Sequence, residues 1–306
     1  MEKFFKHFLK VGPALIITAA VLWALDGIIR RSLYSLPPII IVFYEHLIGA
    51  AILVPFIWRK LVSVRLTKKE FLLLTVIATL SGVLGTLWFT TALLQVNFIP
   101  FSVLFLLQKL QPIFAITSAI IFLREPLKKN YIIWAALAAV AAYFVTFPGG
   151  VVNFETGSGT VIAALYALGA AFAWGTSTTF SKMALTKYDS NTVAALRFIF
   201  TTVIALPFII FMGALPQIFA PDASQFLRFG FIALSTGMVA LLIYYRGLKQ
   251  TPVRVATILE LVFPVLTIII DAVLYKMFLA PAQLLAAAFL MFSIWKLSSL
   301  QLKHEV

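Results

Sequence analysis

The chain has 306 residues, of which 62% are hydrophobic and only 11% are charged, and its mean hydropathy is +1.04. This composition excludes a soluble globular domain, because the surface of a domain of this size needs more polar cover. The net charge is +13, but the basic residues lie in short segments between apolar runs, which favours a membrane orientation signal over a nucleic-acid surface. Cysteine is absent, which excludes disulfides and a cysteine nucleophile.

Apolar runs long enough to span a bilayer recur along the whole chain and predict an all-α membrane protein with ten transmembrane helices. The first five lie near 13–31, 37–58, 71–94, 98–123 and 130–147, and the second five near 159–183, 190–212, 226–247, 253–276 and 281–300. The first run lacks a convincing small-residue cleavage site, so we expect a retained helix rather than a signal peptide.

The distribution of basic residues predicts the orientation of these helices. With the N-terminus in the cytoplasm, 18 of the 24 lysines and arginines lie inside, and Lys109 and Arg197 lie within spans. The other four lie outside or near the outer end of a span, and they are Arg30, Arg31, Arg228 and Lys276. Cytoplasmic loops carry such an excess, so we expect both termini to be cytoplasmic. The glycine-rich stretch 149–158 is then an extracytoplasmic linker between two halves, 1–148 and 159–306.

The two halves repeat each other. Four positions match in order, and they are Trp23 with Trp174, Glu45 with Arg197, Gln95 with Gln250, and Pro112 with Pro264. Five helices per half is an odd number, so the second half must insert upside down relative to the first. An inverted repeat of this kind predicts a substrate site near mid-depth, at the interface between the repeats.

A polar residue stands four positions before a proline in the fourth helix of each half: Gln108 before Pro112, and Glu260 before Pro264. Proline has no backbone N–H, so the carbonyl four residues earlier loses its helical partner. Two matched breaks in apolar helices are the best pointer from sequence to a transporter binding site.

The chain resembles the EamA branch of the drug/metabolite transporter superfamily over nearly its full length. The resemblance rests on the two tryptophan segments, the ALRF sequence at 195–198, the proline segments and the FLREPL sequence at 122–127. It implies two five-helix repeats around a central cavity and transport by alternating access. It also implies export of amino acids or similar solutes across the inner, or plasma, membrane.

Charged and amide side chains in the broken helices are the first candidates for substrate binding. Glu260 could bind a cationic group or accept a coupling proton, or it could be a structural carboxylate. Gln108 and Gln111 lie on one helix face and could orient a polar substrate. Lys109 could hold an anion, neutralise Glu260 or pair with Glu45.

Other charged residues within the spans are candidates for coupling or gating. Glu45 and Arg197 occupy equivalent positions with opposite charge, so we expect them to face each other, as an ion pair or as separate gating contacts. Asp26 lies one turn before Arg30, which favours a local pair. For Asp271 we expect a snorkelling side chain or a pair with Lys276.

Aromatic residues could form an apolar wall of the cavity. The candidates are Trp23, Trp88, Trp174 and Tyr44, although most aromatic residues in membrane proteins serve packing or interface anchoring.

The predicted function is secondary transport of a small organic metabolite such as an amino acid, because Glu260 and Lys109 together suit a zwitterion. An organic-cation or drug exporter using Glu260, and an organic-anion carrier using Lys109 and Arg197, stay open. From other classes, an intramembrane lipid-modifying enzyme or a non-transporting receptor is the alternative. Catalytic, metal-binding and phosphate-loop motifs are absent from the sequence, so we expect no cofactor. Expected partners are the substrate, the bilayer and a coupling proton, and the protein is a monomer or a homodimer.

Overall fold

The computed structural model describes residues 11–94, 101–123, 130–147, 150, 159–251 and 253–300. The first repeat contains α1 (Val11–Arg31), α2 (Pro38–Ser63), α3 (Lys68–Leu94), α4 (Phe101–Gln108), α5 (Gln111–Leu123) and α6 (Tyr131–Thr146). The second contains α7 (Gly159–Lys187), α8 (Ser190–Phe211), α9 (Ala223–Leu234), α10 (Met238–Gln250), α11 (Val253–Leu259), α12 (Val262–Tyr275) and α13 (Pro281–Leu300). The predicted linker lies outside the described residues apart from Gly150, as do Gln95 and residues 124–127 of the FLREPL sequence.

These helices confirm the predicted all-α membrane fold. By length and composition, seven helical stretches of the described chain can cross a membrane, two of them interrupted by a short turn, and three shorter apolar helices accompany them. The short ones are α6, α12 and α13. Together they account for the ten predicted spans.

Both predicted proline breaks are present. The helix α4 ends at Gln108 and α5 begins at Gln111, while α11 ends at Leu259 and α12 begins at Val262. In each case a short turn separates the two helical pieces just before the proline, where the missing N–H prevents a continuous ladder. Gln108 and Glu260 are therefore held at interruptions of the backbone inside the membrane.

The third helix of each repeat is also irregular, which the sequence reasoning missed. Residues Ala78–Gly85 of α3 form a π-helical segment, and α9 and α10 are separated by a break at residues 235–237. In the register that aligns the two third helices, Ser81 corresponds to Thr236 and Gly82 to Gly237. A Cβ atom on Gly82 would lie 1.9 Å from the Oγ1 atom of Thr201, so glycine is what lets α3 approach α8 here.

The repeats interlock instead of packing as separate bodies. The first helix of each repeat packs against the third helix of the other, so α1 contacts α10 and α7 contacts α3. The second helices, α2 and α8, pack against each other, and so do the fifth helices, α6 and α13. This reciprocal exchange is the arrangement expected of inverted repeats related by a pseudo-two-fold axis.

Side-chain caps begin three of the described helices. Asp189 accepts hydrogen bonds from the backbone N–H groups of Asn191 and Thr192 at the start of α8. Burial raises the pKa of Asp189, but its hydrogen bonds with Thr192 and the nearby Lys60 outweigh that effect and hold it below the ordinary value near 3.8. Capping boxes begin α3 at Thr67 and α9 at Asp222.

Candidate functional site

A cavity lies between the two repeats, with about 920 Å³ of empty space when the part open to solvent is counted. Its polar lining comprises Asp26, Arg30, Glu45, His46, Ser81, Thr86, Gln108, Lys109, Gln111, Ser177, Thr178, Ser181, Arg197, Thr236 and Glu260. Its aromatic lining comprises Trp23, Phe89, Trp174, Phe198, Tyr244, Tyr245 and Phe263. Both repeats contribute, and both helix breaks open onto this space.

Arg30 forms one buried ion-pair cluster at the cavity. Its Nε atom lies 2.7 Å from Asp26 Oδ2 and its Nη1 atom lies 2.9 Å from Glu45 Oε2. Thr90 accepts a further bond from Arg30, and Thr236 of the other repeat donates to Asp26. The local Asp26–Arg30 pair is the one that the helical spacing predicts.

One alternative in the prediction was an ion pair between Glu45 and Arg197. In the structure Glu45 does not form that pair. The partner of Glu45 is Arg30, which sequence reasoning assigned to the outer side of the membrane. The interaction joins residues that are 15 positions apart and lie on two helices, so the spacing of residues within one helix does not predict it.

Lys109 and Glu260 form the second buried pair, with 3.2 Å between Lys109 Nζ and Glu260 Oε2. The hydroxyl group of Tyr244 donates to the other carboxylate oxygen at 2.9 Å. Lys109 Nζ also lies 4.5 Å from the centre of the Phe263 ring. The sequence left three roles open for Lys109. In the structure Lys109 neutralises Glu260.

Arg197 reaches across to the irregular segment of α3. Its Nη2 atom donates to the carbonyl oxygen of Ser81 at 3.3 Å, and its Nη1 atom donates to the hydroxyl group of Tyr245 at 3.2 Å. The same Ser81 carbonyl accepts a bond of 2.8 Å from the indole N–H of Trp174. A π-helical segment displaces carbonyl groups from the regular ladder, so Ser81 can serve these partners in the other repeat.

Three cavity-lining side chains have a buried polar atom without a hydrogen-bond partner among the described residues. They are Gln108 at Oε1, Ser177 at Oγ and Arg197 at Nε. The side chains of Gln108 and Ser177 are only 5% and 1% exposed. Native proteins leave few buried polar atoms unsatisfied, so these three atoms mark a place where a ligand or water is expected to bind.

These three residues are the repeat-equivalents of the three paired carboxylates. The register that aligns Trp23 with Trp174 places Ser177 opposite Asp26, and the register of the proline breaks places Gln108 opposite Glu260. Arg197 is the predicted equivalent of Glu45. One set of positions is thus occupied by carboxylates held in ion pairs, and the other set carries the unpartnered atoms.

Two aromatic pairs join the repeats at the cavity. The rings of Trp23 and Tyr244 have centroids 5.0 Å apart, and those of Phe89 and Trp174 have centroids 5.2 Å apart. In the repeat register Phe89 is the equivalent of Tyr244, so the pairs are related by the pseudo-symmetry. Each pair takes one ring from each repeat.

The other two aromatic candidates lie outside this cavity. Tyr44 stacks on Phe229 with 5.4 Å between ring centroids, and its hydroxyl group donates to the carbonyl of Ile218. Trp88 packs against Gly169 of α7, where an added Cβ atom would lie 2.9 Å from the indole ring. Neither position supports the predicted substrate contact, because both rings are directed into helix packing.

Asp271 does not snorkel, so that part of the prediction is wrong. Its side chain is 1% exposed and lies in the π-helical end of α12. Among the described residues, no group of three or more His, Asp or Glu side chains could hold a metal ion.

Comparison with known proteins agrees with this architecture. The model of the EamA-like transporter family matches residues 10–147 and 161–299. The chain is 35% identical over 292 residues to the riboflavin transporter ImpX of Fusobacterium nucleatum subsp. nucleatum, covering 94% of this chain and 98% of that protein. A solved crystal structure with 17% identity superposes with a TM-score of 0.64, covering 96% of this chain and 99% of the other, and therefore shares its fold. The chain belongs to the EamA-like transporter family and is a multi-pass membrane transporter of a small molecule.

Proposed function

We propose that the protein transports riboflavin, or a flavin very similar to it, by alternating access of the cavity between its repeats. The observation that carries the proposal is the aromatic lining of this cavity, with the Trp23–Tyr244 and Phe89–Trp174 pairs at the repeat interface. The 35% identity to a protein named as a riboflavin transporter, over almost the whole of both chains, supports the same substrate.

Riboflavin has the chemistry that this lining would recognise. Its isoalloxazine ring system is a flat, electron-poor tricycle that stacks on tryptophan and tyrosine rings. Its ribityl chain carries four hydroxyl groups, for which the cavity offers amides, hydroxyls and a guanidinium group.

The ion pairs favour a neutral substrate over the zwitterion that the sequence predicted. An amino acid would have to compete for Lys109 and Glu260, which are 3.2 Å apart and buried. Riboflavin carries no net charge at neutral pH and makes no such demand, so the pairs can remain intact during binding.

We further propose that the protein lies in the plasma membrane with both termini in the cytoplasm. The bias of lysine and arginine toward one side of the spans supports this orientation. Because one chain encloses the cavity with its own two repeats, a monomer suffices as the transport unit. The family resemblance predicts export, and flux measured from both sides of the membrane assigns the direction.

Flux in proteoliposomes tests the proposed function. Purified protein is reconstituted, and radiolabelled riboflavin is followed inward and outward, with and without a pH gradient. We expect saturable flux that unlabelled riboflavin abolishes and that amino acids, organic cations and phosphorylated metabolites do not. Flux of an amino acid in place of riboflavin would contradict the proposal.

Matched tryptophan variants connect the flux to the cavity. The substitutions Trp23→Leu and Trp174→Leu each remove one wall, so riboflavin flux at subsaturating concentration should fall about tenfold. The control is Trp134→Leu, since Trp134 packs against Phe292 outside the cavity. Equal effects of all three substitutions would show that the loss is a general one of folding.

A further inference from the structure

Polar atoms without a hydrogen-bond partner in the cavity indicate which edge of the substrate the protein recognises. Among the described residues, the lining contains three buried polar atoms without a partner, on Gln108, Ser177 and Arg197. Leaving a buried donor or acceptor unpaired costs about 1–3 kcal/mol. A transporter recovers that cost when its ligand binds, so such atoms are favourable positions for recognition.

The chemistry of the three atoms is specific. The Oε1 atom of Gln108 is an acceptor, the Nε–H group of Arg197 is a donor, and the hydroxyl group of Ser177 can donate. The other nitrogens of Arg197 are already held by Ser81 and Tyr245, which leaves Nε in a defined position. Gln108 is likewise restricted, because it ends α4 at the proline break.

We propose that these residues recognise the pyrimidine edge of the flavin ring, which presents a carbonyl, an imide N–H and a second carbonyl. Gln108 accepts the imide hydrogen, while Arg197 and Ser177 donate to the two carbonyl oxygens. The inference rests on the proposed function and adds to it the residues that determine specificity. It assigns the edge of the ring to this set and the faces of the ring to the aromatic pairs.

Water is the competing occupant of these positions. A buried water needs two to four polar partners and would satisfy the same three atoms without reading any substrate. Water predicts that removing the imide hydrogen from the flavin has no effect on transport. The proposal predicts that it has a large effect, and that this effect depends on Gln108.

The test compares riboflavin with 3-methylriboflavin, in which a methyl group replaces the imide hydrogen. In proteoliposomes containing the wild-type protein, we expect the KM for 3-methylriboflavin to be about tenfold higher or more. The substitution Gln108→Met keeps the length of the side chain but removes the acceptor, so the two flavins should then differ less than threefold. Because steric exclusion of the methyl group would persist in Gln108→Met, loss of discrimination identifies the hydrogen bond.

The control is Gln283→Met, since Gln283 is also buried but lies outside the cavity and bonds to Ala280 and Val145. It should retain the discrimination of the wild type. Gln108→Glu, which keeps an acceptor, should retain it as well. Gln108→Leu, which also removes the acceptor, takes the place of Gln108→Met if that variant does not fold. Equal KM values for both flavins in the wild type, or unchanged discrimination in Gln108→Met, would overturn the inference while leaving riboflavin transport in place. If the wild type transports neither flavin, the proposed function itself is wrong, and the assignment of the ring edge fails with it.

Discussion

Positions related by the internal repeat have acquired opposite roles in this protein. Asp26, Glu45 and Glu260 are buried carboxylates, and each is held by a cation from Arg30 or Lys109. Their equivalents each have a buried polar atom without a partner in the described part of the chain, and they are Ser177, Arg197 and Gln108. Of two positions related by the repeat, one thus carries a carboxylate held in an ion pair, and the other carries a polar atom that is available to a ligand.

The division does not follow the two halves of the chain. Two of the paired carboxylates lie in the first repeat and one lies in the second. What decides the role is whether a cation can reach the position. Arg30 is one turn from Asp26 on α1, and Lys109 crosses from the first repeat to Glu260 in the second. A buried carboxylate needs such a partner, whereas Ser177, Gln108 and Arg197, which have hydroxyl, amide and guanidinium groups, each keep one polar atom unpaired among the described residues.

The largest effect should come from removing the cation shared by two carboxylates. The substitution Arg30→Met leaves Asp26 and Glu45 buried and uncompensated, at a cost of about 3–5 kcal/mol. We expect the midpoint of thermal unfolding in detergent to fall by about 10 °C, with much of the protein aggregated in size-exclusion chromatography.

The exposed Arg59 provides the matched control, and Arg59→Met should leave the midpoint unchanged. Adding Asp26→Asn and Glu45→Gln to Arg30→Met should recover part of the loss, because the uncompensated charges are gone. A midpoint for Arg30→Met within about 2 °C of the wild type would break the comparison, since the carboxylates would then not depend on their cation.

A smaller effect is expected at the second pair, which holds one carboxylate in place of two. Lys109→Met and Glu260→Gln should each destabilise the protein by about 3 kcal/mol. Together they should cost at least about 1 kcal/mol less than the sum of the two, because each removes the charge that the other leaves unpaired. Chemical or thermal unfolding of the four proteins of this double-mutant cycle measures the coupling.

Transport by the double variant sharpens the result. If the pair is structural and the substrate is neutral, riboflavin flux should remain within about tenfold of the wild type. A stable double variant without flux would instead assign the pair to proton coupling or to direct substrate contact.

Local chemistry explains what the sequence predicts correctly. The ten spans follow from apolar length, and the breaks at Gln108 and Glu260 follow from prolines that lack an N–H group. The Asp26–Arg30 pair follows from helical spacing. Each of these features depends on residues close together in the chain.

Features that depend on helix rotation and on contacts between distant helices were not predictable in this way. Arg30 was assigned to the membrane boundary, yet it reaches Glu45 on the neighbouring helix. The Ser81 carbonyl binds Trp174 and Arg197 because α3 is irregular, and a serine in an apolar helix is a weak signal of that. The sequence does not distinguish Tyr44 from a cavity residue, because the same aromatic residue type serves both in helix packing and in the wall of a binding cavity.

The smallest effect on stability should occur at Ser177, the unpartnered equivalent of Asp26. The substitution Ser177→Ala removes a buried hydroxyl group that has no partner among the described residues, so the unfolding midpoint should stay unchanged or rise slightly. The KM for riboflavin should nevertheless rise about fivefold, because one donor to the ring edge is lost. Ser118→Ala should behave in the opposite way, since the Ser118 hydroxyl group bonds to Thr179 and to the Ala115 carbonyl outside the cavity, so its loss costs about 1 kcal/mol and leaves the KM unchanged. If both serine variants lower stability equally and neither changes the KM, Ser177 is a packing residue, and the distinction between paired and open positions does not extend to it.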